Sequence, residues 1–346
     1  MTTVLPNDPA TRTIAVFGAY GHTARFVVSE LRKRGLTPIL SGRDPQRLRL
    51  LAAEHPGLDV RTASVDDPAS LDRALSGAVA VINCAGPFLD TAARVVEAAL
   101  RARIHYLDLA AEQAAVLGVF EQYSDAARAA NVVIIPAMAF YGGLGDLMAT
   151  AAMGDWADAD EIRIAVALDS WLPTRGTRVT GERNTARRLV FSSNRLQHIA
   201  DPPPTRSWNF PAPFGVQDVV GLPLSEIITM SRHLQSPEIH AYMNLRPLQD
   251  LRNPDTPAPT AADESGRSAQ IFMVDVIVRR GNEERRAIAR GRDIYALSAP
   301  LVVEAALRVI GGMGKIKSGV VAPGASFDAR DFLGSLDPAH LAFEVR

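Results

Sequence analysis

Between Thr13 and Phe140 the chain alternates short, strongly apolar runs with longer stretches whose apolar residues recur every three or four positions. TIAVFGA (13–19), TPILSG (37–42), DVRTASV (59–65), AVAVINCAG (78–86), IHYLDLA (104–110) and VVIIPAMAF (132–140) read as strands. HTARFVVSELRKRG (22–35), DPQRLRLLAAEH (44–55), DPASLDRALSG (67–77) and a long stretch through TAARVVEAALRAR (91–103) read as helices. Strands this apolar, each followed by a helix, predict a parallel sheet covered on both faces. Right-handed crossovers make it doubly wound, so the fold class is α/β with a Rossmann-type first domain.

The rhythm changes near residue 150. EIRIAVALDS (161–170), IFMVDVIVRR (271–280) and RRAIARGRDIYAL (285–297) alternate apolar with polar residues, and GNEE (281–284) joins the last two as a hairpin. DPPPTRSWNFPAPFG (201–215) and NPDTPAPTAADESGR (253–267) read as long loops, the second without an aromatic anchor. From Ala299 the chain turns helical again through PLVVEAALRVIGG, and FDARDFLGSL (327–336) is a further amphipathic helix. These patterns predict a nucleotide-type domain over 1–149 and an α+β domain with a mainly antiparallel sheet over 150–298. The helices of 299–346 are then expected to return to the first domain.

Length and composition agree with two soluble domains. The chain has 346 residues, 47% hydrophobic and 22% charged. A formal net charge of −1 gives no field that would draw it to nucleic acid or an anionic membrane. One cysteine excludes an internal disulfide and a cysteine-rich metal site. The leader MTTVLPNDPATRT lacks the apolar core of a signal peptide, and no run approaches the ~20 apolar residues of a membrane span. A cytoplasmic protein is expected, with a homodimer through the second-domain sheet. No two of the seven histidines have metal-ligand spacing; His233 and His240 are seven apart with no carboxylate arrangement between them. No metal is expected.

The chemistry starts at AVFGAYGHTA (15–24), a glycine-rich turn between the first strand and first helix. Gly18 allows the bend, Gly21 lets backbone N–H groups approach a pyrophosphate, and Ala24 keeps helix and strand close. Tyr20, His22 and Thr23 line the same turn, and the helix N-terminus points its free N–H groups at the phosphates. The end of the second strand selects the nucleotide: an acid there holds the ribose of NAD, a cation the 2′-phosphate of NADP. LSGRDP offers Ser41, Gly42 and then Arg43, which favours NADP(H). Asp44 and Asp67, each before a proline, read as helix caps. That leaves Asp66 to accept from the adenine amine. Asn83, Ala85, Gly86 and Pro87 form a low-bulk bend against which a nicotinamide ribose can lie. Cys84 reads as a packing residue, since no nearby residue suggests a base for it.

GAYGHTA, SGRDPQRL, INCAGPF, IHYLDLAAE and VVIIPAMAF occur in the order and spacing of the saccharopine dehydrogenase-like NADP-binding family, which includes saccharopine reductases and trans-acting enoyl reductases. The resemblance covers residues 13–150 and fades beyond. It implies an NADP(H)-binding Rossmann domain, an inserted second domain, and C-terminal helices over 300–340 that pack back on the first. In that family an Asp tends to follow the Gly-Phe of the sixth strand. Here Tyr141 stands near that point, in AMAFYGGLGDL, and Asp146 comes later.

Reduction by a nicotinamide nucleotide asks the protein to position an acceptor, stabilise charge and sometimes donate a proton. Asp108 and Glu112, after the fifth strand, suit binding a substrate amine or a water; the alternative is a helix cap and a first-turn acid. Tyr141 has a phenol able to donate a proton, or is a packing aromatic among glycines. His105 reads as structural. In SWLPTRGTRVTGERN (170–184), Trp171, Arg175, Thr177, Arg178 and Arg183 form a set suited to a carboxylate or phosphate. The alternative is an exposed loop and a basic helix start. SWNFPAPFG is a candidate wall of the same pocket. The best reading is an NADPH-dependent oxidoreductase reducing a C=N (imine or opine-type) or C=C bond of a small polar metabolite. The alternative is a non-catalytic NADP(H)-binding sensor or structural module.

Overall fold

Each apolar run of the first 139 residues contributes a parallel strand. The computed structural model describes residues 12–312 and 316–346, and the expectation for the leader, residues 1–11, lies outside them. The chain divides into two units: the first runs to Ala139 and takes in Ser298–Val321, and the second is Phe140–Leu297 with Ala322–Arg346.

The first unit runs β1 (Thr13–Phe17), α1 (His22–Lys33), β2 (Thr37–Gly42), α2 (Pro45–Glu54), β3 (Val60–Thr62), α3 (Pro68–Leu75), β4 (Ala80–Asn83), α4 (Phe88–Ala102), β5 (His105–Asp108), α5 (Gln113–Ala130) and β6 (Val133–Ile135). Its seven-stranded sheet has the order β6-β5-β4-β1-β2-β3, with a short parallel strand, Gly319–Val320, added beside β6. Val16 pairs with Leu40 on one side and Ile82 on the other, and these central residues are wholly buried. Reversal of strand order at β1 and β4 makes the carboxyl ends of those strands the ligand crevice of such a sheet. Asp44 caps α2 by accepting from the amides of Gln46 and Arg47, and Asp67 caps α3 through Ser70, as their positions before proline predict. His105 is structural: its Nδ1 accepts from the Val133 amide at 3.0 Å, and burial lowers its pKa.

In the second unit a turn of π-type hydrogen bonding, Phe140–Leu144, leads into α6 (Gly145–Met153) and β7 (Glu161–Leu168). There follow α7 (Arg175–Arg183), β8 (Leu189–Ser192), β9 (Arg195–His198), β10 (Thr205–Asn209), β11 (Val216–Gly221), α8 (Ser225–Met230), β12 (Glu238–Asn244), α9 (Leu245–Arg252), β13 (Ile271–Arg280) and β14 (Glu283–Arg292). The chain then runs through α10 (Ile294–Ile310), which ends in the first unit, β15 (Gly319–Val320, the edge strand above), α11 (Pro323–Ser326), α12 (Ala329–Ser335) and β16 (Leu341–Val345). The second sheet runs β10-β11-β12-β7-β13-β14-β16 and is antiparallel except for β12 with β7. Alternation along β7 separates its faces. Ala165 and Ala167 join a cluster with Trp208, Phe210, Tyr242, Met273 and Ile288, while Ile164 and Val166 line a small cavity with Gly145 and Glu226.

Four expectations are corrected. The division falls at Phe140 rather than near residue 150, because the chain after β6 already packs with the second unit. The segment from Ala322 belongs to the second unit rather than returning to the first: LAFEV forms β16, which pairs with β14. The strand read over 285–297 stops at Arg292, because Asp293 takes a left-handed φ of 63° and its carboxylate accepts from the amides of Tyr295 and Ala296, starting α10. The supposed loop over 201–215 contains β10, pairing with β11 and burying Trp208, whose indole donates to the fully buried Asp275 at 2.9 Å.

Candidate nucleotide and catalytic sites

The glycine turn closes on itself at the end of β1. Gly18 has φ +81°, and a Cβ there would lie 2.9 Å from the N, Cα and Cβ of Ala85, so only glycine fits without displacing the bend after β4. The amides of Gly18 and Ala19 donate to the Ser41 carbonyl at 2.8 and 3.0 Å, which fixes the turn against the end of β2. Gly21 begins α1 with no side-chain cap, so the first turn of this helix keeps N–H groups for an anion. The Ser41 hydroxyl is buried with no hydrogen-bond partner among the described residues. Arg43 is exposed beside it. Gly42 admits the Tyr20 ring: a Cβ would sit 2.8 Å from its edge, and the Arg47 guanidinium lies 4.5 Å from the centre of the same ring. Arg47 is therefore a second cation at this strand end, which the sequence reading missed. Its signal was its place one helical turn beyond Arg43. Asp66 is exposed on the loop after β3, within 3.4 Å of the Ser64 hydroxyl.

The bend after β4 is held from beneath. Asn83 is fully buried; its Oδ1 accepts from the Ala85 amide at 3.0 Å, and its Nδ2 donates to Thr91 and Tyr106 at 3.3 and 3.2 Å. Thr91 donates onward to the Ala85 carbonyl at 2.6 Å, and the Gly86–Pro87 peptide is cis. Tyr106 donates to Asp108 Oδ2 at 2.8 Å. Asp108 Oδ1 accepts from the amides of Ala110 and Ala137 at 2.9 and 2.7 Å. Burial raises the Asp108 pKa, with those amides and Tyr106 pulling the other way. Glu112 Oε1 accepts from the Phe88 amide at 2.8 Å at the start of α4, and its Oε2 from Ala111 at 3.1 Å. Both carboxylates hold loops at the sheet's carboxyl edge in place. Cys84 is a thiol pushed well up by burial and then by Asp108, which suits packing rather than nucleophilic attack.

Residues 14–135 match the family model of the saccharopine dehydrogenase NADP binding domain. This part of the chain is similar to the NADP-binding domain of saccharopine dehydrogenases. NADP(H) is its cofactor, and the residues fit that nucleotide: a glycine cradle closed to any Cβ, an uncapped helix N-terminus, an orphaned buried hydroxyl at Ser41 and cations in place of the acid that NAD requires. A probable mitochondrial saccharopine dehydrogenase-like oxidoreductase of Arabidopsis thaliana is 31% identical over 142 residues, 37% of this chain and 31% of that protein. A lipid droplet localized protein of Caenorhabditis elegans is 29% identical over 136 residues, 36% of this chain and 32% of that one. The matched part is thus about a third of either relative's length. Apo saccharopine dehydrogenase (L-Glu forming) of Saccharomyces cerevisiae shares the fold over 97% of this chain and 100% of its own, with a TM-score of 0.67 at 12% identity. No helix among the described residues is long and apolar enough to cross a membrane.

The second unit gathers some of the remaining candidates and leaves others apart. Tyr141 stacks on Trp171 with ring centres 5.7 Å apart and meets Phe140 edge-on at 4.9 Å. Trp171 Nε1 donates to the Tyr295 hydroxyl at 2.9 Å, and Thr177 Oγ1 lies 2.9 Å from that hydroxyl. Thr174 caps α7, so 175–183 is a helix rather than a loop. Arg178 donates to the carbonyls of Asn253 and Thr256 at 3.2 and 2.7 Å. Arg175 and Arg183 are exposed on the helix, and Trp171 binds Tyr295 and Asp250 rather than an arginine. SWNFPAPFG packs in the separate Trp208 cluster.

Sequence reasoning also missed Glu226 and Arg188. Glu226 is 6% exposed. Its pKa is raised to about 7 by burial, with the amides of Leu224, Glu226 and Gly142 and the Arg188 guanidinium opposing. Its signal was an acid inside the apolar run GLPLSEIITM. Tyr141 is raised well above its ordinary value by burial, then by Tyr295 and Glu226, which keeps it a neutral phenol.

Proposed function

We propose that this protein is an NADPH-dependent reductase acting on a C=N bond, imine or opine-type, or on a C=C bond of a small polar metabolite. The observation that carries the reading is the close-fitting glycine cradle next to Ser41, Arg43 and Arg47, joined in one chain to a second unit with its own buried acids. The fold shared with saccharopine dehydrogenase over nearly the whole chain supports it. When bound, the nucleotide supplies hydride.

The chain's own residues do the rest in this reading. Gly18, Gly21 and the start of α1 hold the pyrophosphate, with Tyr20, His22 and Thr23 around it. Ser41, Arg43 and Arg47 hold the 2′-phosphate, and Asp66 accepts from the adenine amine. The Asn83 network keeps Ala85, Gly86 and Pro87 in place for the nicotinamide ribose. Asp108 and Glu112 act as positioning residues. Tyr141 donates the proton that accompanies reduction, and Arg175 and Arg183 offer charge to an acidic substrate group.

The test is NADPH absorbance followed with panels of imines, keto-acid/amine pairs and enoyl compounds. Consumption with one class and stoichiometric reduced product supports the reading. Tight NADPH binding with no consumption across the panels would replace it with the sensor alternative.

A further inference from the structure

The second unit contains a small, partly open cavity of about 20 Å³, bordered by Tyr141, Gly145, Glu226 and apolar residues of β7, β12 and β13. That is room for one water, and a buried water needs two or more polar partners. Two are supplied. The Tyr141 hydroxyl and Glu226 Oε2 are both buried with no hydrogen-bond partner among the described residues, while Glu226 Oε1 accepts from the Leu224 amide at 2.8 Å. Leaving two such atoms unsatisfied is unfavourable, and a shared water relieves both. Gly145 makes the approach possible: a Cβ there would meet Ile164 at 3.2 Å and Glu226 Cβ at 3.4 Å.

We propose that Tyr141 and Glu226 form a proton-exchange site around one buried water, with Glu226 the group that restores the Tyr141 proton. This rests on the reductase reading, in which Tyr141 is the donor. The Tyr141 O–H bond breaks as its proton passes to the substrate atom that hydride transfer leaves electron-rich. The phenolate takes a proton from the water, and the Glu226 carboxyl replaces it. Glu226 ends as a carboxylate in the field of Arg188 and takes its next proton from solvent.

The charged and titratable groups on the elements around Glu226 are few. Tyr141 comes from the turn before α6, Arg188 precedes β8 and donates to the Pro223 carbonyl at 3.4 Å, and Tyr242 of β12 lines the cavity. Asp146 of α6 is held by His233 at 2.7 Å, and Glu238 of β12 pairs with His240 at 2.9 Å. Arg188 is thus the cation that answers the Glu226 carboxylate, acting on both Glu226 and Tyr141.

The experiment is pH-difference infrared spectroscopy of the whole protein, reading the carboxyl C=O stretch. Wild type should lose one such band with a midpoint near neutrality, and Glu226→Gln should lack it. In Tyr141→Phe the band should shift in frequency, since the shared water loses a partner. In Arg188→Gln the midpoint should rise by about one pH unit. No carboxyl titrating above pH 6, or a band unmoved by Tyr141→Phe, overturns the proposal. If Glu226→Gln does not fold, the other two variants decide the assignment. Calorimetry with NADPH on the same preparations separates the two claims. Lost nucleotide binding removes the reductase reading and leaves the titration standing. A missing band with intact binding removes only the proton-exchange site.

Discussion

Arg43 and Arg47 should set the preference for NADPH over NADH. The perturbation is Arg43→Ala, Arg47→Ala and the double variant, none of which removes a described structural hydrogen bond made by either side chain. A hydrogen bond to a charged group contributes about 1.5–3 kcal/mol. Both guanidiniums are exposed, so water screening places each at the low end, about 1.5 kcal/mol, which is roughly tenfold in Kd. Arg47 is further oriented by the Tyr20 ring 4.5 Å away, a contact contributing about 0.5–1 kcal/mol at an exposed site. Calorimetric titration should therefore show each single variant binding NADPH about tenfold more weakly, and the double variant up to about a hundredfold if the two act independently. NADH binding should not change, and raising salt should weaken NADPH in wild type more than in the double variant. Equal losses for both nucleotides would refute the reasoning, because the effect would then arise from a damaged turn and not from the 2′-phosphate.

Gly18→Ala forces a side chain into a left-handed conformation, about 1–2 kcal/mol, and drives its Cβ into Ala85, so both thermal stability and NADPH binding should fall. Retained binding would remove the cradle argument. Asp108→Ala strands the amides of Ala110 and Ala137 and the Tyr106 hydroxyl, and should destabilise by about 3 kcal/mol or more in denaturant unfolding, with Asp108→Asn milder. The His233 pKa is lowered by burial but raised more by Asp146, 2.7 Å away, so it ends above its ordinary value. Its contribution is then complete below about pH 6.5 and lost as pH rises through the folded value. The melting temperature of wild type should exceed that of His233→Gln at pH 6, and the gap should narrow toward pH 9. A gap that widens with pH would reverse the assignment.

What could be read in the sequence depended on how far away each residue's partners lie. The central strands of the first sheet, such as β1 and β4, were legible because a strand buried on both faces must be apolar, whatever its neighbours, whereas the partly buried β3 followed from its place between two helices. The caps Asp44 and Asp67 needed only the proline after them, and the glycine cradle only its strand and helix. β15 has two residues, too few for any pattern, and exists because β6 offers an unpaired edge. β10 and β16 were missed because strand formation there depends on β11 and β14. The functional residues divide the same way. Arg43 follows from a rule about one strand end, whereas the Asp108 carboxylate could not be seen as a clamp without the Ala137 amide, 29 residues on. Glu226 is the extreme case. An acid in an apolar run announces that something unusual is buried, but its meaning comes from Tyr141 and Arg188, brought to it by the packing of α8 against the turn before α6 and against β8. A local pattern can therefore identify where a nucleotide is held, while the surroundings that raise the Glu226 carboxyl exist only once the second unit has folded around it.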